Sequence, residues 1–281
     1  MHPKLLNLAL ACGLFLSSPI LRAQDHAHLN VGAVAPTNGA QAVWDNGPDF
    51  IASSGYVKTL DHTNSGRFAG YYQNNVTLTA FPATASYGGP TAGAASLGAL
   101  FHGRISLLSG PPGGRFGFWE TNSDAVSGPY VSVGVGETAT NLFRITQTDG
   151  APTADPFGHI HGRRLSATKQ GIYKVGFQAI DVSTNGLGGG PIHPPTGVLP
   201  VWFQAGVNIE SVEPDYEDGH VHVRFGAPLG TTWQVEYTDS FSPLNWLPAG
   251  EPVTGQDYFF ERIHEGDPGA NRYYRVRRLT P

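Results

Sequence analysis

Residues 155–182 read DPFGHIHGRRLSATKQGIYKVGFQAIDV and contain a strong strand signal. After Gly171 the stretch alternates in period two, so that Tyr173, Val175 and Phe177 share one side of an extended backbone. Alternation of aromatic and β-branched residues with polar or small ones is typical of a strand that has one face in a core. The stretch therefore predicts a chain built from β-strands.

The first half of the same stretch carries the motif His159-Ile160-His161. Residues i and i+2 of a strand point to the same face, so we expect the two imidazoles to lie side by side. Such a pair offers two nitrogen ligands to one metal ion. The alternative is a pair of polar side chains on the solvent face of a strand, because short motifs also occur by chance.

Residues 1–23 are typical of an export signal that is cleaved from the mature protein. Lys4 supplies the positive charge, an apolar run follows, and the small residues at its end suit cleavage after Ala23. The run is short for a membrane span and no second one follows, so we expect no transmembrane span in the mature chain. The protein is therefore predicted to be secreted or periplasmic.

The mature chain is expected to lack cysteine, because Cys12 is the only one and leaves with the signal. Disulfides, thiolate metal sites and a cysteine nucleophile are thereby excluded. The 37 glycines and 22 prolines again favour β structure. The formal net charge of −5 becomes −7 once Lys4 and Arg22 are removed, which excludes a basic surface for nucleic acid.

Residues 24–206 are predicted to form one antiparallel β-sandwich of the jelly-roll type. Short apolar runs recur about every 8–12 residues, with turn signals such as Asn46-Gly47-Pro48 between them. The run LPVWFQAG at 199–206 is expected to pair with residues 172–180 as a long hairpin. The Gly/Pro-rich segment between these two strands is expected to be a loop.

Residues 207–281 are predicted to form a second, smaller sandwich, similar to an immunoglobulin or fibronectin type III module. Runs such as GHVHVRFG and TTWQVEYT are typical of short strands separated by turns. The charge changes at the same place, since residues 24–206 hold 10 acidic and 9 basic residues and residues 207–281 hold 12 and 6. This shift puts the predicted domain boundary near Gly206.

A second histidine pair, His26 and His28, opens the mature chain. If cleavage follows Ala23, His26 is the third residue of the mature chain. Its imidazole, the N-terminal amine and two backbone amide nitrogens would then form a square-planar site suited to Cu(II) or Ni(II). Cyclisation of Gln24 would block that amine. On a strand the two imidazoles share one face, and a first strand beside the His159 segment would let both pairs share one ion.

Four further histidines have other predicted places. His102, next to a glycine, is a reserve metal ligand. His193 belongs to the Gly/Pro-rich loop and is expected to be solvated. His220 and His222 form a third pair, but the apolar residues that alternate with them define an inward face. Their rings are therefore predicted to point outward.

The segment GHIHGRRLSATKQGIYKVGFQA resembles a signature of secreted bacterial surface-anchored domains, in which Gly-His-x-His precedes a Gly-x-Tyr strand. Exported proteins that are repressed by the zinc uptake regulator and carry a PEP-CTERM anchor are especially similar. They also open with a histidine-containing strand, as HAHLNVGA does here, and have a strand matched by Phe116–Thr121. The resemblance covers most of residues 24–206 and implies a role in metal scarcity. In this chain Asn30 stands where the family has an aspartate, and RVRRLTP stands where the anchor is expected.

These motifs predict an exported metal-binding protein that captures or stores metal at the cell surface or in the periplasm. Zinc is the first choice and copper the second, since neutral imidazole binds both and no thiolate competes. We expect the C-terminal module to meet a component of the cell surface or envelope. The predicted ligands are His26, His28, His159, His161 and, in reserve, His102.

Two other classes of function stay open. A cupin-type metalloenzyme would need a glutamate three or four residues after its His-x-His pair. Gly162 to Ser166, which follow His161, supply none, so catalysis is not expected. The chain also lacks a G-x-S-x-G nucleophile elbow. A non-catalytic adhesion or glycan-binding protein would instead use exposed aromatic residues, although core packing is their expected role. The candidates for such a surface are Tyr71, Tyr72, Trp202 and Trp246.

Overall fold

The computed structural model describes residues 28–75, 77–80, 96–120, 128–146, 163–206, 209–227, 230–256, 258–266 and 271–279. Over these ranges the chain is built from β-strands and a few 3₁₀ turns, so the prediction of an all-β fold is confirmed. The predicted export signal lies outside the described residues. Within them, no helix is long and apolar enough to cross a membrane.

The described residues up to Gly206 contribute twelve strands and the 3₁₀ turns. The strands are β1 (His28–Ala33), β2 (Ala42–Trp44), β3 (Lys58–His62), β4 (Tyr72–Asn74), β5 (Thr77–Ala80), β6 (Phe101–Ser109), β7 (Arg115–Trp119), β8 (Val131–Gly134), β9 (Phe143–Arg144), β10 (Arg164–Ala167), β11 (Gly171–Asp181) and β12 (Leu199–Ala205). The 3₁₀ turns are Gly47–Phe50, Ala52–Ser54, Gly66–Phe68 and Leu187–Gly189.

These strands form two sheets over one core. The small sheet has the order β2-β1-β5, with β1 antiparallel to β2 and parallel to β5. The large sheet has the order β8-β7-β10-β4-β3-β12-β11-β6-β9. Its two ends approach each other, because Leu107 of β6 forms a bridge to Val135, just beyond β8. One hydrophobic cluster runs through both sheets.

The central hairpin of the large sheet is formed by β11 and β12. β11 and β12 are antiparallel over seven residue pairs, from Gly171–Ala205 to Phe177–Leu199, as the sequence predicts. Tyr173, Val175 and Phe177 are buried, which confirms the inward face. The small sheet is held to this hairpin by the indole N–H of Trp44, which donates to the carbonyl of Phe177 at 3.3 Å.

From Ile209 onward, the residues that the structure describes contribute seven strands in two sheets. They are β13 (Ile209–Asp215), β14 (His220–Ala227), β15 (Thr232–Thr238), β16 (Leu247–Pro248), β17 (Val253–Thr254), β18 (Tyr258–Glu265) and β19 (Tyr273–Arg278). One sheet has the order β13-β14-β18, and in the other β15 pairs with β16, β17 and β19. Their facing sides enclose a separate hydrophobic cluster around Phe225, Trp233 and Val235. The division of the chain near Gly206 stays a prediction.

Candidate metal centre

Two of the five predicted metal ligands lie within the described residues. His26, His159 and His161 lie outside the described residues. His28 is the first residue of β1, and His102 is the second residue of β6. The candidate site is therefore located by His28 and His102, and by β1 and β10, the strands that follow the other three histidines.

The start of β1 is held in place by the loop that follows β2. The amide of Asn46 donates to the carbonyl of His28 at 2.7 Å, and its oxygen accepts from the backbone N–H of Asn30 at 2.9 Å. The half-buried imidazole of His28 is itself oriented, since its Nδ1 lies 3.1 Å from the hydroxyl oxygen of Thr79. Metal-binding histidines commonly have their second ring nitrogen held in this way.

The strands that follow the two histidine pairs meet the same short segment of chain. β1 runs parallel to β5 with His28 opposite Thr77, and β10 runs antiparallel to β4 with Leu165 opposite Asn74. Only residues 75 and 76 separate β4 from β5. Thus β1 and β10 both begin beside the β4–β5 junction. Among the described strands β1 does not pair with β10 itself. The segment that contains His159 lies outside the described residues, so its expected place beside β1 stays a prediction.

A limit on the separation of the two strand starts follows from chain geometry. Paired Cα atoms lie about 5 Å apart across a sheet, and three residues of chain span at most about 11 Å. The Cα atoms of His28 and Leu165 are therefore within about 21 Å of each other. His26 is two residues before the first of these and His161 four residues before the second.

His102 lies on the large sheet between two neighbouring strands. Its cross-strand partners are Arg144 of β9 and Ile180 of β11. Burial lowers the pKa of the His102 imidazole below its ordinary value, and the positive charges of Arg144 and Arg163 lower it further. The neutral ring is the form that binds metal, but the two guanidinium groups that favour it also oppose a metal cation.

Arg163 connects the start of β10 to two other strands. Its guanidinium donates to Glu120 Oε2 at 3.0 Å and 3.2 Å, just beyond β7, and to the carbonyl of Arg144 in β9. The group is 8% exposed and lies over the ring of Phe118, 5.5 Å from its centroid. Burial lowers the pKa of Arg163, and the charge of Glu120 opposes this shift. Sequence reasoning missed this pair, whose one signal is a lone glutamate at the end of an apolar strand.

No group of three or more His, Cys, Asp or Glu side chains suited to a metal ion occurs among the residues that the structure describes. His28 and His102 therefore do not form a site with other described ligands.

The prediction that His193 is solvated is wrong. The side chain is fully buried, with Nδ1 2.9 Å from the carbonyl oxygen of Ala40 and Nε2 3.0 Å from that of Ser96. Its backbone N–H donates to the buried carboxylate of Asp181, and its ring stacks on Phe101 at 6.2 Å. The Gly/Pro-rich composition predicts a solvent-exposed loop, but these polar contacts hold the loop against the core. The buried ring connects the loop to the segments around Ala40 and Ser96.

The third histidine pair lies on the outer face of β14. Val221 and Val223 are buried in the second cluster, so the rings of His220 and His222 are on the opposite side of the strand. Nδ1 of His222 is 3.4 Å from a carboxylate oxygen of Glu261. The outward orientation predicted from the alternation is therefore the one observed.

Comparison with known proteins adds no relative to this description. No protein-family model matches the chain, and no curated protein matches it.

Proposed function

We propose that this protein is an exported metal-binding protein that captures or stores metal at the cell surface or in the periplasm, with zinc as the first choice of metal and copper as the alternative. The observation that supports this most is the shared junction. β1 and β10 both begin beside the β4–β5 segment. The first His-x-His motif ends at His28, the first residue of β1, and the second ends three residues before β10. The strands that adjoin these two distant motifs thus begin in one region of the fold.

The chemistry of the donor set fits zinc. Four neutral imidazoles satisfy a tetrahedral ion, and a site closed in this way suits binding rather than catalysis. Thr79 holds Nδ1 of His28, so a metal would take Nε2 of that ring. His102 remains a reserve ligand because two guanidinium groups lie near it. No described side chain offers a competing thiolate, since the single cysteine of the chain is Cys12.

Metal titration of the mature protein tests the proposal. After treatment with a chelator, the protein should bind about one equivalent of zinc. The double substitutions His159→Ala/His161→Ala and His26→Ala/His28→Ala should each weaken binding by about 100-fold or more, because each removes half of the ligands. The matched control is His220→Ala/His222→Ala on β14, which removes two histidines of the same spacing and should leave zinc binding unchanged.

The pH dependence gives a second readout of the same site. Imidazole must lose its proton to bind metal, so zinc affinity should fall as the pH drops through about 6.5. Unchanged binding in either pair variant would refute the shared site. Loss of binding in the control variant would move the site to β14.

Mass spectrometry of the exported protein tests the predicted export signal, since cleavage after Ala23 predicts a chain that begins at Gln24.

A second candidate function, adhesion to glycans or other surface material, is supported by one cluster of aromatic rings. Phe241 and Tyr273 are 59% and 47% exposed, with ring centroids 4.4 Å apart, and Trp246 lies 6.4 Å from Phe241. Exposed aromatic clusters of this kind mark interaction sites more often than single exposed rings do. Co-sedimentation with insoluble polysaccharide should be lost in Phe241→Ala/Trp246→Ala and kept in Tyr216→Ala, which removes a single ring that is 72% exposed. Equal co-sedimentation of the unmodified protein and both variants would exclude this surface.

A further inference from the structure

The outer face of the second sandwich carries a row of aromatic and charged side chains along β19. Tyr274 and Val276 of this strand pack against the second hydrophobic cluster, so the residues that alternate with them face outward. Tyr273 is 47% exposed, and the side chains of Arg275 and Arg277 are 43% and 52% exposed. The strand thus presents one aromatic ring and two guanidinium groups on the same side.

Two more rings extend this row. The ring centroid of Phe241 lies 4.4 Å from that of Tyr273, and the ring centroid of Trp246 lies 6.4 Å from that of Phe241. The guanidinium group of Arg275 is in turn 4.3 Å from the centroid of the Trp246 ring. Rings and charges are therefore in contact along one surface. We call it the outer strip, and it consists of Phe241, Trp246, Tyr273, Arg275 and Arg277.

The two guanidinium groups of the outer strip are held in place by one buried carboxylate. Glu236 of β15 accepts hydrogen bonds from the Nε groups of Arg275 and Arg277, each at 2.7 Å, and its side chain is only 7% exposed. Two guanidinium groups carry more N–H donors than one carboxylate can accept. The three groups together therefore keep a net positive charge, with donors left for a further anion.

The positive charge of the second sandwich is concentrated around this strand. Residues 207–281 hold 12 acidic and 6 basic residues, and four of the six basic ones lie between residues 272 and 278. Exposed charges are screened beyond about 8 Å at physiological ionic strength, so the nearest charges decide which ligand the strip attracts. The acidic residues of the rest of the sandwich oppose a polymer as densely charged as nucleic acid.

The combination of rings and guanidinium groups matches the chemistry of an acidic sugar. One face of a sugar ring consists of C–H groups, and it packs against an aromatic ring because the contact removes both surfaces from water. A carboxylate on the same sugar accepts two parallel N–H bonds from a guanidinium group. Three rings and two guanidinium groups are few for a protein interface, which takes roughly 20–30 residues a side.

We propose that the outer strip binds an acidic polysaccharide, with its rings packed on sugar faces and with Arg275 and Arg277 paired to sugar carboxylates. This inference rests on the second candidate function, adhesion to glycans, and names the class of glycan. The strip is separate from the histidine motifs, so the inference is independent of metal binding.

Polygalacturonate and its methyl ester are matched probes, because they share one sugar ring and differ in the charge of its carboxyl group. Isothermal titration of the mature protein should show binding to both polymers, with polygalacturonate about tenfold tighter or more. This preference should shrink as the salt concentration is raised, since salt screens the attraction between exposed charges.

Substitutions separate the charges of the strip from its rings. Arg277→Gln removes one charge at an exposed position and leaves Arg275 in place. It should weaken polygalacturonate binding by about tenfold and so remove most of the advantage over the methyl ester. Tyr273→Ala should weaken binding of both polymers, because the ring contacts the uncharged part of the sugar. The matched control is Arg224→Gln on β14, whose guanidinium group also pairs with a single glutamate and which should change neither affinity.

The possible failures have different meanings. Binding to neither polymer would overturn glycan adhesion and this inference with it. Equal binding of the two polymers, or a preference that Arg277→Gln leaves intact, would keep glycan adhesion and overturn the acidic class. Polyglutamate bound as tightly as polygalacturonate would also overturn the inference, because charge attraction without sugar contacts would then account for the binding.

Discussion

Gln204 holds both backbone groups of Gly226, and this contact ties the first sandwich to the second. The side-chain amide of Gln204 donates to the carbonyl of Gly226 at 2.8 Å and accepts from its N–H at 3.0 Å. Both partners are buried, and glycine permits the approach, because a Cβ there would lie 2.8 Å from Val57 Cγ1 and 2.9 Å from Gln204 Oε1. A backbone bond from Phe259 to Gly55 adds a second connection.

Gln204→Leu should lower the free energy of unfolding by about 2–4 kcal/mol, because two buried backbone groups lose their partners and leucine supplies none. Urea denaturation followed by tryptophan fluorescence measures this change. Gln256→Leu, at an exposed position outside any strand, is the control and should change stability little. Equal stability of the two variants would show that the Gln204 amide does not connect the sandwiches.

Gly103→Ala should destabilise the first sandwich by about 2–3 kcal/mol. Gly103 of β6 is paired with Phe143 of β9, and an added Cβ would overlap the Phe143 ring. That ring cannot move easily, since it stacks on Phe118 with centroids 3.8 Å apart. Thermal unfolding of the variant should be compared with Gly197→Ala, where a Cβ would meet no atom within 4 Å. A similar melting temperature for both variants would contradict the packing described here.

His193→Phe should lower the free energy of unfolding by about 1–3 kcal/mol, although it keeps an aromatic ring beside Phe101. The phenyl group cannot bond the carbonyls of Ala40 and Ser96, so two polar contacts of a buried ring are lost. Chemical denaturation is the measurement. His62→Phe, at an exposed position of β3, is the matched control. No difference between the two would mean that the loop around residue 193 is held by its other contacts alone.

Glu236→Gln should reduce stability at neutral pH, and the difference from the unmodified protein should shrink in acid. Burial alone would raise the pKa of Glu236, but the hydrogen bonds from Arg277 and Arg275 outweigh it and hold the pKa below the ordinary carboxyl value. The stabilisation from a lowered pKa is complete above about pH 4.3, the usual glutamate value, and is lost as the pH falls through the folded-state pKa. Urea midpoints between pH 3 and 7 test this, with the exposed Glu217→Gln as control. A difference that grows in acid would have the wrong sign.

The all-β class and the central hairpin follow from local sequence. Period-two alternation after Gly171 is sufficient to predict the buried face of β11, because neighbouring side chains of an extended chain necessarily point to opposite sides. The same rule predicts the outward rings of His220 and His222. Turn residues between apolar runs add the strand boundaries, since they restrict the backbone within a few residues.

The candidate site depends on contacts that no local pattern encodes. The junction beside β1 and β10 arises from the pairing of His28 with Thr77 and of Leu165 with Asn74, which join residues tens of positions apart. His193 lies in a segment with the composition of a loop, yet its ring is hydrogen-bonded to a carbonyl 153 residues away. Whether a loop residue is solvated depends on what packs over it. Local sequence is enough to predict which residues alternate and where the chain turns. The assembled sheets bring distant segments together, because burial and cross-strand pairing depend on all of the strands at once.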